Sequence, residues 1–176
     1  NFVRKNLGFL FQGAALYDSM TVRENLEFPL IRHFNFTPLE REEKIKSVLE
    51  KVSLEEAIDK MPSELSGGMK KRIGLARSII SEPKLMLYDE PTTGLDPITS
   101  KEISSLILEL QKSLNMTSVI VTHDLLCAEI IADRAIVLNE GIVQHAGTIA
   151  ELTTSSDHFL RNFFSHEIVE DQNRRN

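Results

Sequence analysis

Apolar and polar positions along the chain alternate between two rhythms. Leu7 to Phe11 is a short apolar run of strand type that ends at Gln12. Thr21 with Glu24, and Thr37 with Glu40, have the threonine-to-glutamate spacing of a capping box. The first predicts a helix from Val22 to about Leu30. The second predicts one opening at Pro38, with Ile45, Val48, Leu49 and Val52 on one face. Glu42 and Lys46 fall outside that stripe, four apart, as a surface pair. Ser66 is the natural N-cap of a further helix whose buried face is Met69, Ile73, Ala76 and Ile80, stopped by Pro83.

The second half repeats the alternation. "KLMLYD" has consecutive apolar residues and predicts a strand buried on both faces. A helix follows from about Thr99 to Leu114, with Ile103, Leu106, Ile107, Leu110 and Leu114 on one side. "TSVIVT" predicts another buried strand, ending at His123. A short helix from about Leu125 to Ala132 leads to a hairpin of "AIVLN" and "IVQH" about Glu140-Gly141. Thr148 and Glu151 form a third capping box, and the stretch from Glu167 to Asn176 is polar, aperiodic and expected to be disordered. Strands alternating with helices predict an α/β fold, a mostly parallel sheet covered by helices. The expected division is a helical part at about 21–80, inserted into an α/β core at 1–20 and 81–152, with a C-terminal extension at 153–176.

Composition narrows the classes. The chain has 176 residues and a net charge of −6, which argues against a nucleic-acid partner held through phosphates. No apolar run approaches the ~20 residues that cross a bilayer. One cysteine, Cys127, permits no internal disulfide and reads as a small buried apolar residue.

Four polar features end apolar segments, and ligands of open α/β sheets bind at the carboxyl ends of strands. Gln12 can ligate a cation or water, or be simply solvated. Asp89 ends a strand, where a carboxylate pairs or holds a cation; nucleotide hydrolases place Mg²⁺ there. Glu90 can orient a water as general base only if the strand stops and its side chain turns. Ser66-Gly67-Gly68 offers free N–H groups and a helix dipole to an anion, or is an ordinary serine cap. His123 can hydrogen-bond a terminal phosphate or be structural, and Asp96 in "GLDP" is by default a cap. His33, His145, His158 and His166 have no motif around them and read as surface residues.

The order "LFQ", "LSGGM", "LMLYDEPTTGLDP", "VIVTHD" resembles the nucleotide-binding domain of ABC (ATP-binding cassette) ATPases from Leu7 to about Leu152. The resemblance implies the P-loop NTPase-like fold of that family, with ATP and Mg²⁺ as ligands. Gln12 would be the Q-loop glutamine near Mg²⁺, Leu65 to Met69 the signature, and Leu85 to Asp89 the Walker B strand. Glu90 would be the catalytic glutamate, Gly94 to Asp96 the D-loop and His123 the switch histidine. The family's phosphate loop, GxxxxGK[ST], is absent from the chain. We therefore expect an incomplete domain whose phosphate loop lies upstream of Asn1, inactive and poorly stable alone.

In this family two domains pair head to tail. Ser66, Gly67 and Gly68 would then hold the γ-phosphate of a partner's ATP, with Asp96 on the same seam. Implied partners are a second copy, transmembrane permease subunits and no nucleic acid. "GAALYDSMTVRENLEFPL" is similar to cassettes of Mla-type (Mce-associated) phospholipid transporters, which implies lipid transport at the cytoplasmic face of a bacterial inner membrane, with a lipid-transfer protein as a further partner. In that comparison Tyr17-Asp18-Ser19 and Phe28-Pro29-Leu30 line the groove for the permease. Amino-acid and lipoprotein-release cassettes share much of this pattern. A non-catalytic dimerisation module is the rival class.

Overall fold

A computed structural model describes residues 6–164; the expectation for Glu167–Asn176 lies outside them. The chain divides into two compact units, 1–122 and 123–176. In the first, strands β1 (Leu7–Leu10), β2 (Leu85–Asp89) and β3 (Thr117–Val121) form a parallel sheet in the order β1-β2-β3. The helices are α1 (Val22–His33), α2 (Pro38–Lys51), α3 (Gly67–Ile79) and α4 (Pro97–Ser113), with single 3₁₀ turns at Glu55–Ala57 and Pro62–Glu64.

The helices begin where side chains satisfy the orphan amides of their first turns. Thr21 and Thr37 close the two capping boxes, and Ser66 and Asp96 cap α3 and α4. Helix α1 runs three residues past the predicted end, carrying Pro29 inside it. Val22, Leu26 and Leu30 are fully buried on one side of it, so apolar burial outweighs the lost amide of the proline. The stripe Ile45, Val48, Leu49, Val52 is buried as predicted, and Lys46 meets Glu42 at 3.4 Å.

Register aligns the carboxyl ends of the strands. Leu10 pairs with Tyr88, and Asp89 with Val121. One face of the sheet, with Leu10, Met86 and Tyr88, is buried, and α3 packs on β1. Burial drives the Tyr88 phenol up to about 12. The other face is not closed. Phe9, Val119 and Val121 are exposed, 61% for Val121. The two-sided burial read from consecutive apolar residues is therefore corrected: the strands alternate, because only one face meets packed side chains.

In the second unit, α5 (Leu125–Ile131) precedes strands β4 (Ala135–Asn139) and β5 (Ile142–Gly147), an antiparallel hairpin, and then α6 (Ile149–Thr153). Glu140 and Gly141 both take positive φ, +50° and +76°, as a two-residue hairpin turn requires. Val137, Leu152 and Leu160 form the core of this unit, with Phe159 and Phe164 beside them.

The turn before α1 is tied by one side chain. Asn25 is fully buried; its amide nitrogen donates to the carbonyls of Tyr17, Met20 and Thr21 at 3.0–3.1 Å, and its oxygen accepts from the Tyr17 amide at 2.8 Å. Asn25→Ala strands these groups out of water. Urea unfolding is expected to show a loss of about 3 kcal/mol. A loss within ~0.5 kcal/mol, the level of an ordinary surface change, would contradict this.

Candidate functional site

Gln12 lies two residues beyond β1 and is exposed. The chain turns sharply there. The Ala14 amide donates to the Phe11 carbonyl at 2.9 Å, and Ala14 and Ala15 are both left-handed, φ +61° and +49°. Two consecutive non-glycine residues in that region cost strain, so neighbours must hold them. Ala14 is buried against Gly74 of α3, where a Cβ would stand 2.8 Å from the Ala14 Cβ. Arg77, one turn on, donates to the Ala14 carbonyl at 3.2 Å and lies over the Tyr17 ring. Burial lowers the Arg77 guanidinium from its ordinary value, with the Tyr17 phenol acting the other way.

At the end of β2, Asp89 is the last paired residue. The Glu90 amide still donates to the Val121 carbonyl at 2.9 Å, but Glu90 itself is left-handed, φ +48°. That conformation breaks the strand's up-down alternation. Asp89 and Glu90 are thus not condemned to opposite faces of one strand. The Glu90 carboxylate accepts from the Thr93 hydroxyl at 2.9 Å, and the Thr93 amide donates to the Glu90 carbonyl at 3.3 Å.

Lys71 joins these two corners. It is only 5% exposed, and its ammonium donates to the carbonyl of Gln12 and, at 3.2 Å, to the carbonyl of Glu90. Desolvation lowers its pKa, opposed by the nearby charges of Glu90 and Asp89.

Ser66 caps α3, its hydroxyl accepting from the Met69 amide at 3.3 Å. Ser66 and Gly67 are exposed and Gly68 is half-buried. A Cβ on Gly68 would stand 2.9 Å from Thr99 Cγ2, so the absence of a side chain lets the first turns of α3 and α4 close on one another. Asp96 caps α4. Its carboxylate accepts from the amides of Ile98 and Thr99 at 3.1 and 3.0 Å and from the Thr99 hydroxyl at 2.5 Å. The Thr99 bonds hold its pKa below the usual carboxylate value. Two helix N-termini therefore lie together, with Ser66-Gly67-Gly68 and Asp96 at their mouths.

The family pattern described as ABC transporter matches residues 1–93, more than half of the chain. The chain belongs to the ABC transporter family. A methionine import ATP-binding protein, MetN of Streptococcus pyogenes serotype M3, is 35% identical over 161 residues, covering 92% of this chain and 45% of that protein. The chain thus spans less than half the length of this ABC relative. Among solved structures, cbiO1 from Clostridium perfringens, part of the ABC transporter complex cbiONQ, superposes with a TM-score of 0.79 at 29% identity, over 93% of this chain and 68% of that one. The ATP-binding cassette MJ0796, in a dimeric post-hydrolysis state bound to ADP and Pi, superposes with a TM-score of 0.73 at 32% identity, over 84% and 65%. The mixed α/β architecture with a parallel sheet is that of ABC ATPase domains.

Within the first unit of this ABC domain, Gln12, Asp89 and Glu90 are drawn to adjacent strand ends, and Ser66, Gly67, Gly68 and Asp96 to adjacent helix starts. His123 opens the second unit and is exposed. The groups fit the ligands that ABC domains take. The start of α3 offers main-chain amides and the positive end of a helix dipole to an anion. Mg²⁺ commonly uses one or two protein carboxylates beside phosphate and water, which suits Asp89 with Gln12. No cluster of three or more His, Cys, Asp or Glu among the described residues would hold a metal alone.

Reading the sequence missed Lys71. It falls outside the predicted stripe of α3 and looks like one more base in "MKKR". The available signal was Leu75, four residues on, which is fully buried and marks the same side of the helix as an interior one.

The contact at Gly68 gives a test. Gly68→Ala is expected to cost 1–2 kcal/mol in urea unfolding, the range of an overpacked site. Thr99→Ser removes Cγ2 but keeps the hydroxyl bond to Asp96. In a double-mutant cycle it should recover at least ~0.5 kcal/mol of that loss. Strict additivity of the two changes would contradict the close approach.

Proposed function

We propose that this chain belongs to an ATP-hydrolysing subunit that drives a membrane transporter. The single observation carrying this reading is the left-handed Glu90 at the end of β2, which frees its carboxylate from strand alternation beside Asp89. Glu90 accepts a proton from the attacking water as general base, and the Thr93 hydroxyl orients it. Asp89 and Gln12 would hold Mg²⁺, which would supply neutralisation of the phosphate charge when bound. Ser66, Gly67 and Gly68 present the positive end of α3 to the γ-phosphate of ATP held by a second copy, and Asp96 lies on the same seam. His123, at the start of the second unit, would hydrogen-bond a terminal phosphate. No described helix is long and apolar enough to cross a membrane, which is consistent with peripheral docking on permease subunits.

For the cargo, the stretch Gly13 to Leu30 supports phospholipid transport at the cytoplasmic face of a bacterial inner membrane, with a lipid-transfer protein as a further partner. A second reading, amino-acid import, is favoured by the likeness to a methionine import ATP-binding protein. Co-purification of the permease separates the two: bound phospholipid favours the first, methionine-stimulated hydrolysis the second.

Glu90→Gln in the protein encoded by the whole reading frame is expected to lower kcat at least ~100-fold, as loss of a general base does. It should keep ATP-dependent dimers in analytical ultracentrifugation. Turnover at the normal rate would remove Glu90 from the chemistry.

A further inference from the structure

We propose that Lys71 is a positioning residue that holds the Gln12 corner and the Glu90 corner at a fixed separation and ties both to the helix whose N-terminus is Ser66-Gly67-Gly68. This rests on the proposed function above for its catalytic consequence, but its structural basis is independent of it.

Three residues of α3 hold the loop after β1. Lys71, Gly74 and Arg77 are three apart in series, so they follow one side of the helix. Lys71 binds the Gln12 carbonyl, Gly74 receives Ala14, and Arg77 binds the Ala14 carbonyl and covers Tyr17. Gly74 and Arg77 bear only on the end of β1 and the loop that follows it. Lys71 differs in reaching a second strand end as well, through the Glu90 carbonyl. A buried ammonium with two donors committed to two separate corners cannot follow one of them without breaking from the other.

The two carbonyls it holds belong to the strained residues' own turns. The Phe11-to-Ala14 turn encloses Gln12, and the Glu90-to-Thr93 turn is closed on the Glu90 carbonyl itself. Removing the ammonium therefore loosens both turns together, with Gly74 and Arg77 still bearing on the first. The first turn of α3 lies three residues before Lys71, so a shift of Ser66-Gly67-Gly68 on meeting a phosphate is transmitted to Gln12 and Glu90 as one rigid step. Lys71 touches no reacting atom in this scheme. Its effect passes through the backbone of the residues that do.

The test uses the protein from the whole reading frame, with Lys71→Met, which keeps the stem without donors, and Lys71→Arg, which keeps donors and charge. Two readouts are needed. In hydrogen exchange, the Ala14 and Thr93 amides should exchange at least ~10-fold faster in Lys71→Met than in the unaltered protein, and recover in Lys71→Arg. In steady-state ATP hydrolysis, Lys71→Met should lower kcat about 10-fold or more with KM changed less than about twofold, again with recovery in Lys71→Arg. If Lys71→Met does not fold, Lys71→Gln, a shorter uncharged donor, carries the same comparison.

Unchanged exchange at both amides overturns the inference. So does a Lys71→Met protein that melts earlier but turns over normally, because the lysine would then be structural only. If the unaltered protein does not hydrolyse ATP, the proposed function fails, while the exchange of Ala14 and Thr93 still decides whether Lys71 holds the two corners.

Discussion

An ammonium taken out of water must be repaid by oxygen ligands, and Lys71 finds two of them at the ends of different strands. Much of the site follows from that single cation. Its four-carbon stem crosses the interior from α3, so the helix, the loop after β1 and the turn after β2 are referred to one point. The carboxylates of Glu90 and Asp89 supply the field that favours its charge, while burial opposes it. The left-handed Ala14 and Glu90 are tolerated in this setting, since each sits in a turn closed by a backbone hydrogen bond, with its carbonyl held by Arg77 or Lys71 of α3.

A second constraint operates at the other end of α3. Gly68 lets two helix N-termini approach, and the Asp96 carboxylate satisfies the amides of one while Ser66 caps the other. Asp96 is thereby a cap, to which the proposed seam would add a second role. Its capping role is fully visible in one chain, whereas a role across a seam needs a second. The same holds for Ser66-Gly67-Gly68, which open a helix whose positive end can favour an anion without any basic side chain.

Much of this was legible in the sequence because the signals were local. Capping boxes at Thr21, Thr37 and Thr148, the N-cap at Ser66 and the stripe along α2 depend on residues three or four apart, and each appears where its spacing put it. The strand ends were legible because Gln12, Asp89 and His123 each follow an apolar run. What periodicity could not give was long-range. Lys71 and Gln12 are far apart in the chain, and nothing near Lys71 marks it as interior except Leu75. The extension of α1 through Pro29 reversed a sound local rule, because Leu30 is buried beyond it. The open face at Phe9, Val119 and Val121 could not be read either: consecutive apolar residues record what a strand can bury, not what meets it.

The central claim is that Ser66, Gly67 and Gly68 receive the terminal phosphate of a nucleotide bound by another copy. The most direct test is a structure of the protein from the whole reading frame with Mg²⁺ and a non-hydrolysable ATP analogue. The account predicts γ-phosphate oxygens within ~3.2 Å of the Ser66 hydroxyl and the Gly68 amide of the copy that does not bind the adenine. A nucleotide whose phosphates meet only one copy, with Ser66-Gly67-Gly68 facing solvent, would contradict it.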